Sequence, residues 1–344
     1  MADTHDAKLH VIFRCDSSAN MGTGHVMRCL TMAEVWRNDF DGMTTFCCAQ
    51  LSGSLEDRIN NGGHSIVWLG DGHDFTDSGE GLLEVCTLKN AAAVLIDGYH
   101  FNRLYREPLK SSSIKVATMQ DAGSETYGAD MVIDASLSAK IPDGVDSDKT
   151  IYAFGPQYAL VAPSILSAQG LSGAPLGVLV TFGGSDPHGF SMPVANAIRS
   201  RLTDVPIHVI LGGSVKKAGD IASALVRTPN ITVSHDVPSL GPAIVGAEMV
   251  VTAAGSSLYE IAALARPMVL VITEDNQSEL GDLDWAKIID VRNSSHAIED
   301  IADMAAGLFQ DEPEMALMSA RGAHIIDGKG AHRVLSHIKK LIEN

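Results

Sequence analysis

The stretch RCDSSANMGTGHVMRCLTMAEVW, residues 14–36, decides the fold. It leaves the short apolar segment LHVIFRC and crosses a loop holding Gly22 and Gly24. It then enters a segment where Val26, Cys29, Leu30, Ala33 and Trp36 recur at helical spacing. Strand, glycine-containing loop and helix form the opening unit of a doubly wound α/β domain. The alternation continues outward. MTTFCCAQ reads as strand, SLEDRINNGG as helix with a glycine stop, HSIVWLG as strand and LLEVCTLKN as helix. AAAVLIDGY is a strand ending on Asp97, and KVATMQD and MVIDAS follow as strands. The strands are continuous apolar runs, the pattern of a parallel sheet covered on both faces.

Over residues 138–175 the rhythm is lost, and Pro, Gly, Ser and Ala accumulate as in an interdomain connection. The pattern restarts with LGVLVTF, the loop GGSDPHG and the helical FSMPVANAIRSRL. PIHVILGG, NITVSHDV, EMVVTAAG and RPMVLVIT read as further strands, and residues 312–344 as mostly helical. The expected architecture is α/β: two doubly wound Rossmann-like domains facing a cleft, residues 1–160 and 161–344. The last helical stretch is a candidate to pack back on the first domain. A chain of 344 residues fits two domains of roughly 150 each.

Hydrophobic residues at 45% and charged residues at 19% supply two cores and exclude disorder. Acids outnumber bases 42 to 25, a net charge of −17, and no basic run interrupts the trend. Such a chain is repelled by nucleic-acid backbones and anionic lipid, so neither is expected as a partner. A phosphorylated small molecule stays compatible, because backbone N–H groups at helix starts bind anions whatever the net charge. Cys15, Cys29, Cys47, Cys48 and Cys86 are odd in number, form no C-x-x-C and mostly lie in apolar segments. They read as reduced, buried thiols of a cytoplasmic protein. MADTHDAKLH has no signal-peptide character, and no apolar run approaches the roughly 18 residues of a membrane span.

Ligands of open parallel sheets bind beyond the carboxyl ends of the strands. In the second half, Gly183 and Gly184 permit close backbone approach, and Ser185 and Asp186 suit helix capping. N–H groups there can take a diphosphate, or the segment is an ordinary strand-to-helix turn. Gly255, Ser256 and Ser257 open another helix, with Glu260 one turn inside. That carboxylate can accept hydrogen bonds from ribose hydroxyls, or merely offset the helix dipole. Glu274, Asp275, Asn276 and Gln277 cluster at a further strand end. The first half carries catalytic residue types: Arg14 and Asp16 after the first strand, His25 at the helix start, and Asp97, Tyr99 and His100 after a later strand. A helix N-terminus disfavours imidazolium, so His25 is placed to accept a proton from water. The alternative is a histidine that simply caps its helix.

FRCDSSANMGTGHVMRCLTMA, LIDGY, FGPQYALV, TFGGSDPHGFS, TAAGSSLYEIAALARPMVLVITEDNQ and DGKGAHRV resemble, in that order, the nucleotide-sugar hydrolases of the pseudaminic acid pathway. Related spore-coat polysaccharide proteins share these motifs. The resemblance covers nearly the whole chain, and GTGHVMRCL is its most specific block. It implies cleavage of UDP-2,4-diacetamido-2,4,6-trideoxy-β-L-altropyranose to the free sugar and UDP. It also implies the two-domain, metal-independent GT-B fold, similar to the transferase that adds N-acetylglucosamine to lipid-linked muramyl peptide, with no cofactor. UDP is then expected on the C-terminal domain and the sugar on the N-terminal one. His25 matches the family's catalytic base, Glu260 its nucleotide-side glutamate and Asn276 the asparagine of its N-Q pair. One departure stands out: YALVAP has Ala162 where the family often has arginine. Nothing after the second α/β domain suggests the acetyltransferase domain that some members carry, so no acetylation is expected.

The expected reaction is inverting hydrolysis at the anomeric carbon. Water attacks opposite the diphosphate and His25 takes its proton, with Asp16 or Asp97 orienting the imidazole. Gly22 and Gly24 let the sugar approach; Arg14 touches it or pairs with an acid, and Arg28 makes a structural ion pair. The alternatives are a glycosyltransferase on the same fold and a non-catalytic nucleotide-sugar-binding protein.

Overall fold

The computed structural model describes residues 8–18, 21–70, 79–120, 128–141, 149–171, 177–281 and 283–344. The chain divides into two compact units, Met1–Leu160 with Lys329–Asn344, and Val161–Gly328.

The first unit is built on β1 (His10–Cys15), β2 (Met43–Cys48), β3 (Ser65–Trp68), β4 (Ala93–Asp97), β5 (Lys115–Met119), β6 (Met131–Asp134) and β7 (Ile151–Phe154). All pair in parallel, in the order β3-β2-β1-β4-β5-β6-β7. All six residues of β1 are buried, because both faces are covered. Phe13 and Cys48 face a core shared with the helix Gly24–Asp39, while Ile12 and Cys47 face the opposite core. All five cysteines are free and buried, and burial pushes the Cys47 and Cys86 thiols up to about 12.

The second unit holds β8 (Val178–Thr181), β9 (Ile207–Leu211), β10 (Ile231–His235), β11 (Met249–Ala253), β12 (Met268–Ile272) and β13 (Lys287–Asp290). These also pair in parallel, in the order β10-β9-β8-β11-β12-β13. The winding direction reverses between β1 and β4 in one sheet and between β8 and β11 in the other. Such switch points open a crevice at the carboxyl ends.

Two findings correct the sequence reading. β7 lies inside the stretch read as interdomain connection, and it is the edge strand of the first sheet. The helix Gly330–Glu343 falls in the range assigned to the second domain but belongs to the first unit. Its Ala331, Val334, Leu335 and Ile338 are buried in the core that includes Trp36 and Leu30. The helix begins on a glycine because any Cβ at Gly330 would collide with the Ala159 carbonyl. Arg333 Nη1 fastens it further by donating to the Gln157 carbonyl at 2.9 Å.

Candidate active site

At the first switch point, Cys15 of β1 pairs with Asp97 of β4. Asp97 is fully buried, and its Oδ1 lies 2.8 Å from His25 Nδ1. Arg28 Nη2 also lies 3.0 Å from Nδ1; in the tautomer where Nδ1 donates to the carboxylate, Nε2 is the basic nitrogen. Arg28, one helical turn beyond His25, donates to the same carboxylate from Nη2 to Oδ1 at 2.6 Å and from Nε to Oδ2 at 3.0 Å. This fork fixes the plane of Asp97 and hence of the imidazole. The Tyr99 ring meets His25 edge-on, with centroids 4.6 Å apart, and is 63% exposed. His25 thus does not cap its helix; its ring is turned to β4. Gly22 adopts φ +77°, a conformation that favours glycine, and an added Cβ at Gly22 or Gly24 would meet nothing within 4 Å.

Asp16 is engaged elsewhere. Its Oδ2 lies 2.6 Å from Arg14 Nη1 and 3.4 Å from His100 Nε2. Its Oδ1 accepts the N–H groups of Ala49 at 2.7 Å and Gln50 at 3.1 Å. Burial alone would raise this carboxyl, but His100, Arg14 and the two N–H groups outweigh it and hold it below the usual carboxylate range. Arg14 is 1% exposed, under the Phe101 ring at 4.5 Å, and its Nε donates to Tyr105 Oη at 2.8 Å. One of the two open alternatives is thereby taken in each case. Asp97 rather than Asp16 bonds His25, and Arg14 pairs with an acid, sealed by its own partners. Phe101 and Tyr105, which form that seal, gave no signal in the sequence beyond their aromatic character.

In the second unit, Gly183, Gly184 and Ser185 follow β8 as an exposed loop, with Gly183 at φ +76°. The helix starts at Ser191, one residue into the segment read as helical. Asp186 already binds its first donors, accepting from Phe190 N–H and Ser191 N–H at 2.9 Å each. That occupies donors expected to take a diphosphate. Gly255 and Ser256 are exposed after β11, and Ser257 opens the helix Ser257–Ala263. No Cβ added at Gly183, Gly184 or Gly255 would meet an atom within 4 Å. Glu260 is half-buried, and among the described residues nothing bonds its carboxyl; burial raises it to about 7. Gln277 turns its Oε1 inward, accepting from Thr273 N–H at 2.8 Å and Glu274 N–H at 3.2 Å. It therefore shapes the loop after β12. The Asn276 side chain lies outside the described residues. One pair was not foreseen: His188 Nε2 and Glu274 Oε1, 2.8 Å apart, join the loops after β8 and β12 on either side of β11. Among the described residues, no group of three or more His, Cys, Asp or Glu could hold a metal ion. No helix among them is long and apolar enough to cross a membrane.

A putative UDP-N-acetylglucosamine 2-epimerase of Listeria monocytogenes superposes with a TM-score of 0.68 at 14% identity, covering 98% of this chain and 97% of that one. MurG of Acinetobacter baumannii superposes at 0.67 with 14% identity, covering 97% and 100%. The chain has the GT-B fold. A third GT-B likeness is Anabaena HepE, solved with UDP-glucose: TM-score 0.58, 12% identity, 96% of this chain and 100% of that one. At these identities the GT-B likeness is one of fold. No family model matches the chain. A curated Methanocaldococcus jannaschii protein, itself uncharacterised, is 22% identical over 289 residues, 80% of this chain. The chain spans 57% of that relative's length.

Proposed function

We propose that the chain hydrolyses a UDP-activated deoxy-diacetamido sugar at its anomeric carbon, with inversion, releasing the free sugar and UDP. The observation that carries this reading is the buried His25–Asp97–Arg28 set at the carboxyl end of the first sheet, which positions the imidazole as a base for water. Asp97 and Arg28 are positioning residues; Tyr99, Gly22 and Gly24 border the sugar. The second unit holds UDP through the loops at Gly183, Gly184 and Ser185 and at Gly255, Ser256 and Ser257, with Glu260 on the ribose and Asn276 and Gln277 beside it. Charge that develops on the departing diphosphate is met by loop N–H groups.

The bond cleaved is decided by running the reaction in ¹⁸O-water with UDP-sugars and weighing both products. Attack at carbon puts the label on the sugar and none on UDP. Label in UDP means attack at phosphorus and refutes the reading. A transferase, the alternative reading, gives little labelled product without its acceptor.

Gly255→Val tests the loop. The position is open, so thermal stability should stay within about 0.5 kcal/mol, as for surface substitutions generally. UDP affinity should fall at least about tenfold, roughly 1.4 kcal/mol, if backbone approaches the diphosphate there. Calorimetry showing unchanged affinity removes this loop from the site.

Glu260 gives a pH signature. Its folded value, about 7, lies above the ordinary carboxyl value of 4.5, so the fold opposes its charging. The resulting cost to stability is absent below pH 4.5 and complete above about 7. Glu260→Gln should therefore raise Tm at pH 8 and leave it unchanged at pH 4. Ribose hydroxyls donating to the carboxylate favour its ionised form, so UDP binding near pH 7 should release a proton in the wild type and none in Glu260→Gln. Glu260→Ala should weaken UDP by roughly 1–3 kcal/mol. Calorimetry in buffers of different ionisation enthalpy reads both effects; equal proton counts and equal affinities would count against the ribose contact.

A further inference from the structure

The carboxyl end of the second sheet is poor in positive charge. Residues 182–190, 253–260 and 273–281, which leave β8, β11 and β12, include Asp186, Glu260, Glu274, Asp275 and Glu279 but no Lys or Arg. His188 is the one residue of these segments whose side chain can be cationic. Arg292, after β13, is committed to Asp275 at 2.7 Å and Asp290 at 2.6 Å. Lys216 and Lys217 follow β9, on the far side of β8 from β11. The His188 ring stacks on Phe190 with centroids 5.6 Å apart, and Phe190 packs on buried Phe182. Its edge turns Nε2 to Glu274 Oε1 at 2.8 Å. Glu274 does not need His188 to hold its place, because it also accepts from the Gln277 N–H in a capping box. The two side chains are 42% and 52% exposed. An ion pair so exposed adds little in water, and a more highly charged ligand can displace it.

We propose that His188 is a diphosphate-binding residue of the second unit, held by Glu274 until the ligand arrives; the inference rests on the UDP site proposed above. The pair joins the loops on either side of β11, and residues 255–257 leave β11 between them in the strand order. Backbone N–H groups of those loops can donate to a diphosphate but bring no net charge. His188 brings one. Its Nε2–H turns from the Glu274 carboxylate to a phosphate oxygen and makes a charge-assisted hydrogen bond there. An anion within reach favours the charged ring, so the ligand promotes the form that binds it. In a chain of net charge −17, this cation offsets repulsion where a nucleotide is most negative. Glu274 then acts in two opposed ways. It orients the ring in the free protein, and it competes with the ligand for the same N–H.

The test uses the full chain and measures affinities for UDP, uridine and inorganic pyrophosphate by calorimetry, in the wild type, His188→Phe and Glu274→Gln. Phenylalanine keeps the stack on Phe190 and removes the N–H donor. Glutamine keeps an oxygen for the Gln277 N–H and removes the competing charge. His188→Phe should weaken UDP at least about fivefold and leave uridine within about twofold, since uridine has no phosphate to lose. Glu274→Gln should strengthen UDP by about twofold or more. The opposite signs separate a ligand from a brace, because loops that need the pair only for their shape lose UDP in both variants. UDP affinity unchanged in His188→Phe overturns the proposal. So does uridine affinity that falls with it, or UDP weakened in Glu274→Gln. A wild type that binds no UDP sinks the nucleotide site instead. Pyrophosphate then decides His188 alone: binding that His188→Phe loses supports an anion-binding residue, and binding that is absent or unmoved ends the proposal.

Discussion

His25→Asn is expected to lower turnover of the UDP-sugar by about 10²-fold or more, while UDP affinity barely changes. Asparagine keeps a polar group that can donate to Asp97, so the buried carboxylate stays partnered. It has no nitrogen that accepts a proton at neutral pH. The loss corresponds to about 2.7 kcal/mol of transition-state stabilisation, which is the part a positioned base supplies. UDP is held by the other unit in this reading, and its binding should not register the change. Near-normal turnover in the variant would remove His25 as the base. A variant whose circular dichroism and Tm match the wild type, yet which is slow, separates chemistry from folding.

Ending the chain after Gly328 is expected to unfold the first unit and spare the second. The removed helix buries Val334, Leu335 and Ile338 at 0–1% exposure. Each such side chain is worth roughly 1.5–3 kcal/mol, so the three together contribute about 5–9 kcal/mol before the exposed partner face is counted. That rivals the ~5–15 kcal/mol stability of a whole domain. Hydrogen exchange should show β1, β2, β4 and β5 losing protection while β8 to β12 keep theirs. Uniform protection after truncation would show that the helix is dispensable to the first unit.

Most strands were legible because they are continuous apolar runs between glycines and polar turns. β7 and β13 were not. IYAF and KIID have four residues each, lie at sheet edges and are mostly half-exposed, so they carry too little apolar signal. The last stretch was legible as helical and as a candidate to pack back on the first domain, but not which of its residues would fill that core. The same limit applies at the site. That His25 stands at a loop-to-helix junction can be read directly. Which carboxylate meets it cannot, because Asp16 and Asp97 both stand at strand ends. The choice follows from the register of β1 on β4 and from the Arg14–Asp16 contact, both tertiary facts. Asp186 was read as suited to capping the helix that follows, and its side chain reaches that helix start across the loop, four and five residues on.

The division of the first unit between the two ends of this chain imposes a timetable on its synthesis. At about 5–20 residues per second, roughly ten to forty seconds separate the emergence of Leu160 from that of the closing helix. During that interval the helix Gly24–Asp39 waits with part of its apolar surface uncovered, while the second unit emerges and gains its last strand, β13, before the closing helix appears. The half emerging first is therefore the half completed last, and it is the one a holding chaperone would find.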